Sequence, residues 1–168
     1  MKVLIACVGN IFLGDDGFGV EVARALSQRQ LPENVSVKDF GIRGFDLAYA
    51  LLDPWDLVII VDALPRGEAA GTLFVIEPEL HRPASADTAL NPHGMDPVRV
   101  LSLAASMGTI SAQVLVVGCQ PNDFGDELEG RMGLSAPVQG VVEEASNTIL
   151  DLVASRQTNA VRLQTVER

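Results

Sequence analysis

Two adjacent carboxylates, Asp15 and Asp16, stand among glycines in the stretch Gly9-Asn10-Ile11-Phe12-Leu13-Gly14-Asp15-Asp16-Gly17-Phe18-Gly19-Val20, directly after the apolar run Val3–Val8. An aspartate at a helix start caps free N–H groups and is favoured by the helix dipole. There is one cap position, so capping accounts for one of the pair and leaves the other as a candidate to point into a cleft. Asp62 follows a second apolar run, Leu57–Val61, and His93 ends a long irregular stretch. Two carboxylates and one imidazole, Asp16, Asp62 and His93, suit a borderline divalent ion such as nickel or zinc. Each has a plainer reading: Asp62 as a hydrogen-bond partner of a neighbouring loop, His93 as a surface histidine. His81, beside Arg82, reads as solvated. Arg43, in the turn Gly41-Ile42-Arg43-Gly44, is either a contact for a substrate carbonyl or carboxylate or a solvated turn arginine.

Other chemistries find less support. A dinucleotide fingerprint needs G-x-G-x-x-G, whereas the glycines here are Gly9, Gly14, Gly17 and Gly19, and two carboxylates occupy the place where a pyrophosphate needs backbone donors. A small nucleotide-binding oxidoreductase is therefore a distant alternative. There is no P-loop, no H-E-x-x-H helix and no G-x-S-x-G elbow. Cys7 and Cys119 lie in apolar runs without C-x-x-C spacing and read as reduced core residues rather than nucleophiles.

The elements that would position these residues follow from periodicity. Val3–Val8 is a buried strand that breaks at Gly9, and Phe18, Val22 and Leu26 mark an amphipathic helix over Gly17–Gln30. Val35–Phe40 alternates like a peripheral strand, and Phe45–Leu52 is a helix closed by Pro54. Leu57–Val61 is a strand covered on both faces. Gly71–Glu77 is entered by so short a link that it predicts an antiparallel edge strand. Pro78–Met95 has no sustained period and reads as a long loop. Asp96-Pro97 opens a helix to about Met107. Gln113–Cys119 is a further buried strand, and Val138, Val141, Val142, Ala145, Ile149, Leu152 and Val153 trace the stripe of a terminal helix. Strands alternating with helices predict an α/β fold with a mostly parallel sheet. In such a sheet the ends of the first and third strands face one edge, where Asp16 and Asp62 converge and the long loop brings His93 over them.

The 168 residues amount to one domain, residues 1–156, followed by a polar tail, 157–168, expected to fray. No apolar run approaches the roughly 20 residues of a membrane span. A strand pattern at the N-terminus leaves no room for a signal peptide, so the expectation is a cytoplasmic protein. A net charge of −10 opposes nucleic acid or an anionic membrane as partner and suits a basic peptide or a metal cation.

Val8-Gly9-Asn10, Gly14-Asp15-Asp16-Gly17 with Gly19, Val61-Asp62-Ala63, Pro92-His93 and Gly133-Leu134-Ser135 together resemble the hydrogenase maturation endopeptidases, from the N-terminus to about residue 153. The resemblance implies a three-layer sandwich in which a twisted, mostly parallel five-stranded sheet carries helices on both faces. It also implies removal of a C-terminal extension from the large-subunit precursor of a nickel-iron hydrogenase after nickel insertion; the enzyme is expected to be a monomer. The family's metal-contacting trio falls on Asp16, Asp62 and His93, with nickel arriving on the precursor and no organic cofactor. Asp16 or Asp62 is then the general base for an attacking water. An aspartic-type mechanism is open, since two carboxylates distant in sequence do not by themselves establish a shared-proton dyad. A nickel-dependent assembly chaperone that does not cut is the alternative of another class.

Overall fold

The computed structural model describes residues 1–78, 96–125 and 128–166. Five strands, β1 (Val3–Val8), β2 (Val35–Gly41), β3 (Leu57–Ala63), β4 (Leu73–Ile76) and β5 (Gln113–Cys119), form one sheet in the order β2-β1-β3-β5-β4. β1, β2, β3 and β5 run parallel, and β4 pairs antiparallel with β5 at the edge. The short 64–72 connection cannot carry a crossover helix, so β4 returns beside β5 in the opposite sense.

Alternation along β1 sorts the core into two layers. Val3, Ile5 and Cys7 face α1 (Phe18–Ser27) and α5 (Val142–Val166), packing with Phe18, Leu26, Ala145 and Ile149. Leu4, Ala6 and Val8 face α2 (Gly44–Ala50) and α3 (Pro97–Met107), packing with Leu47, Leu51, Leu101 and Ala104. β1 and β3 are buried along their whole length, which is why both read as unbroken apolar runs. The result is the expected three-layer α/β sandwich. Cys7 and Cys119 are free thiols inside it.

Two boundaries differ from expectation. A short helix α4 (Ala136–Gln139) precedes α5, and α5 runs on to Val166 through the polar stretch after Arg156. No glycine or proline interrupts 157–166, so nothing in the backbone stops the helix where the apolar stripe ends. Among the described residues no helix is long and apolar enough to cross a membrane.

Candidate active site at the carboxyl ends of β1 and β3

From β1 the chain winds away to β2 on one side, and β3 lies on β1's other side. The crevice between the ends of β1 and β3 is therefore the switch point of the sheet, where open α/β folds bind their ligands. Glycines let the first loop fold back into it. Gly9 has φ +142°, and a Cβ there would stand 1.9 Å from the Asp16 carbonyl oxygen. A Cβ on Gly19 would meet the carbonyl oxygens of Val8 at 2.2 Å and Val61 at 2.5 Å, so α1 starts directly against the ends of both strands. Between them Asn10 makes a tight turn, its Oδ1 accepting the Phe12 N–H at 3.0 Å, and Gly14–Gly17 forms a single 3-10 turn.

That turn corrects the capping expectation. Neither Asp15 nor Asp16 is the cap residue of α1: that position falls to Gly17, which has no side chain to cap with. The acidic pair lies within the tight turn just before the cap, and each carboxylate goes to a different partner. Asp16 lies toward β1, where its Oδ2 accepts the Asn10 N–H at 2.8 Å, and it is 6% exposed. Asp15 is fully buried and faces the other way. It accepts the Asn122 and Asp123 N–H groups at 2.8 and 3.1 Å, and the Ser135 N–H and Oγ–H at 2.6 and 2.8 Å. Burial alone would raise its pKa, but these bonds outweigh it and hold the carboxyl below its usual range.

Asp62 is the last residue but one of β3, 5% exposed, and opposite Gly118 of β5. Its Oδ1 accepts the N–H of the next residue, Ala63, at 2.8 Å, rather than a bond from a neighbouring loop. Burial pushes its pKa well above the ordinary carboxylate range; the negative charge of Asp16 pushes the same way, and that of Asp96 adds to it. Asp16 and Asp62 are thus brought to one crevice. Asp96 caps α3, its Oδ1 accepting the Val98 N–H at 2.9 Å, as Asp96-Pro97 predicted. Its closeness to Asp62 was not foreseen, because a cap motif says nothing of what the helix end faces.

His93 and His81 lie outside the described residues. Among the described residues, no group of three or more His, Cys, Asp or Glu side chains could hold a metal ion. Arg43 turns its guanidinium back on its own strand: Nε donates to the Phe40 carbonyl at 3.0 Å, and Nη2 donates to that of Asp39. The group is still more than half exposed, with Asp46 at 3.9 Å. An open hollow flanks the crevice between Pro65 and the turn Pro121–Gly125.

A buried carboxylate pair at the switch point of an open sheet defines an α/β protein with an acidic site at its β1/β3 crevice. The family model of the hydrogenase maturation proteases (HycI) matches residues 20–152. The hydrogenase 2 maturation protease of Escherichia coli is 31% identical over 163 residues, covering 96% of each chain. The hydrogenase expression/formation protein HupD of Rhizobium leguminosarum is 32% identical over 156 residues, 92% of this chain and 75% of that one. The solved structure of the hydrogenase maturating endopeptidase HybD from E. coli superposes with a TM-score of 0.75 at 28% identity, over 93% of this chain and 94% of that one. The chain belongs to the hydrogenase maturation protease family, and it is a peptidase.

Proposed function

We propose that this peptidase removes the C-terminal extension from the large-subunit precursor of a nickel-iron hydrogenase once nickel is in place, reading the ion as part of its substrate. The observation that carries the reading is the Asp16–Asp62 pair, buried together at the β1/β3 crevice of a chain from a peptidase family. Two carboxylates supply hard oxygen ligands, and His93 adds a nitrogen ligand, which suits a borderline divalent cation. His93 precedes Asp96 by three positions, a length of chain that spans at most about 11 Å, and the charge of Asp96 already acts on Asp62. Three side-chain ligands leave coordination positions for atoms of the precursor.

Hydrolysis needs a water whose proton is taken as it attacks the scissile carbonyl, and a route for that proton to the departing amine. One carboxylate of the pair, Asp16 or Asp62, takes the proton and later returns it, which is the sense in which the enzyme is of aspartic type. The substrate's ion, or the protonated partner carboxyl, stabilises the oxyanion. Arg43, exposed at the end of β2, offers its remaining N–H groups to a carbonyl or carboxylate of the substrate chain. The protein works as a monomer in the cytoplasm, a compartment that suits its two free buried thiols.

The deciding experiment incubates the purified protein with nickel-free and nickel-loaded precursor and follows release of the C-terminal peptide by mass spectrometry. Cleavage of the loaded form alone is expected. Equal cleavage of both overturns the nickel-sensing role, and a loaded precursor that binds without being cut favours a checkpoint that does not cleave.

A further inference from the structure

Asp15 is the most heavily bonded carboxylate described, and the cleavage chemistry has no use for it. Four donors converge on it from residues more than a hundred positions away: the N–H groups of Asn122, Asp123 and Ser135, and the Ser135 hydroxyl. A fully buried carboxylate is costly unless its lone pairs are filled, and here protein donors fill them. The surrounding backbone is stitched in the same direction. The Asp15 N–H donates to the Asp123 carbonyl at 3.1 Å, the Gly14 N–H to that of Arg131 at 2.7 Å, and the Arg131 N–H to that of Phe12 at 2.7 Å. An Arg131–Asp123 ion pair at 2.7 Å closes the ring at the surface.

Successive side chains on a 3-10 turn point about 120° apart. Fixing Asp15 toward the 122–135 segment therefore fixes the direction of Asp16, the next residue, which lies against the end of β1 on the Asn10 N–H. We infer that Asp15 and Ser135 form a clasp that sets the orientation of Asp16, making both of them positioning residues for cleavage. This gives the serine of Gly133-Leu134-Ser135 a part in the site through its two bonds to Asp15. The inference rests on the proposed function only in taking Asp16 as the working carboxylate.

The test uses the full chain with Asp15→Asn, Ser135→Ala and Ser135→Thr. Asparagine is isosteric but turns one acceptor into a donor facing donors. Alanine removes the hydroxyl, and threonine keeps it. If the clasp orients Asp16, kcat for the nickel-loaded precursor falls about 10–100-fold in Asp15→Asn with KM little changed. Ser135→Ala falls in the same sense, and Ser135→Thr restores cleavage. A readout independent of activity is the Asn10 amide resonance, which reports the bond to Asp16: it should move in Asp15→Asn and Ser135→Ala and return in Ser135→Thr. Changes confined to the amides of Asn122, Asp123 and Ser135, with Asn10 unmoved, would make the clasp a loop staple and overturn the proposal. Wild-type kcat in a folded Asp15→Asn protein would overturn it too. Should Asp15→Asn fail to fold, the alanine and threonine variants at Ser135 decide alone. Should the wild-type protein leave the loaded precursor uncut, the functional reading fails, and the Asn10 resonance still decides this one.

Discussion

Gly9 lies directly beneath the main chain of Asp16: a methyl group on Gly9 would sit 1.9 Å from the Asp16 carbonyl oxygen, well inside contact distance. The positive φ of Gly9 compounds the clash, because a residue with a Cβ is strained there whatever the space. Gly9→Ala should cost at least about 3 kcal/mol of stability, as backbone strain and a steric clash add. Denaturant unfolding of the variant beside wild type measures this, and a loss below about 1 kcal/mol would mean the first loop relocates readily.

Asp62 places a site of chemistry in conflict with the fold. Its pKa is raised by burial first and by Asp16 second, so the folded chain holds this proton more tightly than the unfolded chain does. The stability linked to the proton is complete below the unfolded carboxylate value, near roughly 4, and is lost as pH rises through the raised folded value. Asp62→Asn keeps an oxygen for the Ala63 N–H and never ionises. In metal-free buffer at pH 8 it should therefore be more stable than wild type by about 1–2 kcal/mol, an advantage that shrinks toward pH 4. Melting curves across pH check the sign, and precursor cleavage by the variant should be lost.

Core and site should separate under mutation. Ile59, wholly buried in the middle of β3, packs in the layer beneath α1 and α5. Ile59→Ala should cost about 2–5 kcal/mol through lost burial and a cavity. His93→Ala should abolish processing while changing stability by no more than about 0.5 kcal/mol. Equal thermal damage from the two would mean that His93 supports the fold rather than the reaction.

The strands were legible because their faces are. β1, β3 and β5 are covered on both sides and read as unbroken apolar runs, and the shortness of the 64–72 link betrayed the reversed β4. Asp16 and Asp62 were legible as neighbours because each follows such a run, and parallel strands end on one edge. The role of Asp15 was not, because its partner Ser135 lies 120 positions away and no local pattern marks a serine that donates twice to one carboxylate. Capping was misassigned for a related reason. The 3-10 turn Gly14–Gly17 puts Gly17 in the cap position of α1, so the acidic pair sits one and two residues before it. The influence of Asp96 on Asp62 is equally tertiary, arising from where α3 docks and not from its own sequence.

The two thiols turn the core into its own clock. Burial first, then the charge of Asp15, pushes Cys119 up to about 12, and burial with the charge of Asp39 pushes Cys7 higher still. Alkylating reagents attack the thiolate, so at neutral pH the native molecule is silent toward them. Cys7 lies in the interior strand β1 and Cys119 at the end of β5, both in the layer beneath α1 and α5. Modification of either therefore waits on opening of that layer. Maleimide labelling followed by mass should yield one rate for both cysteines, set by global opening, while a faster Cys119 would time the separate release of the β5–β4 side of the sheet. Unmodified wild-type protein thus carries a two-point record of how its sheet comes apart, with no introduced probe.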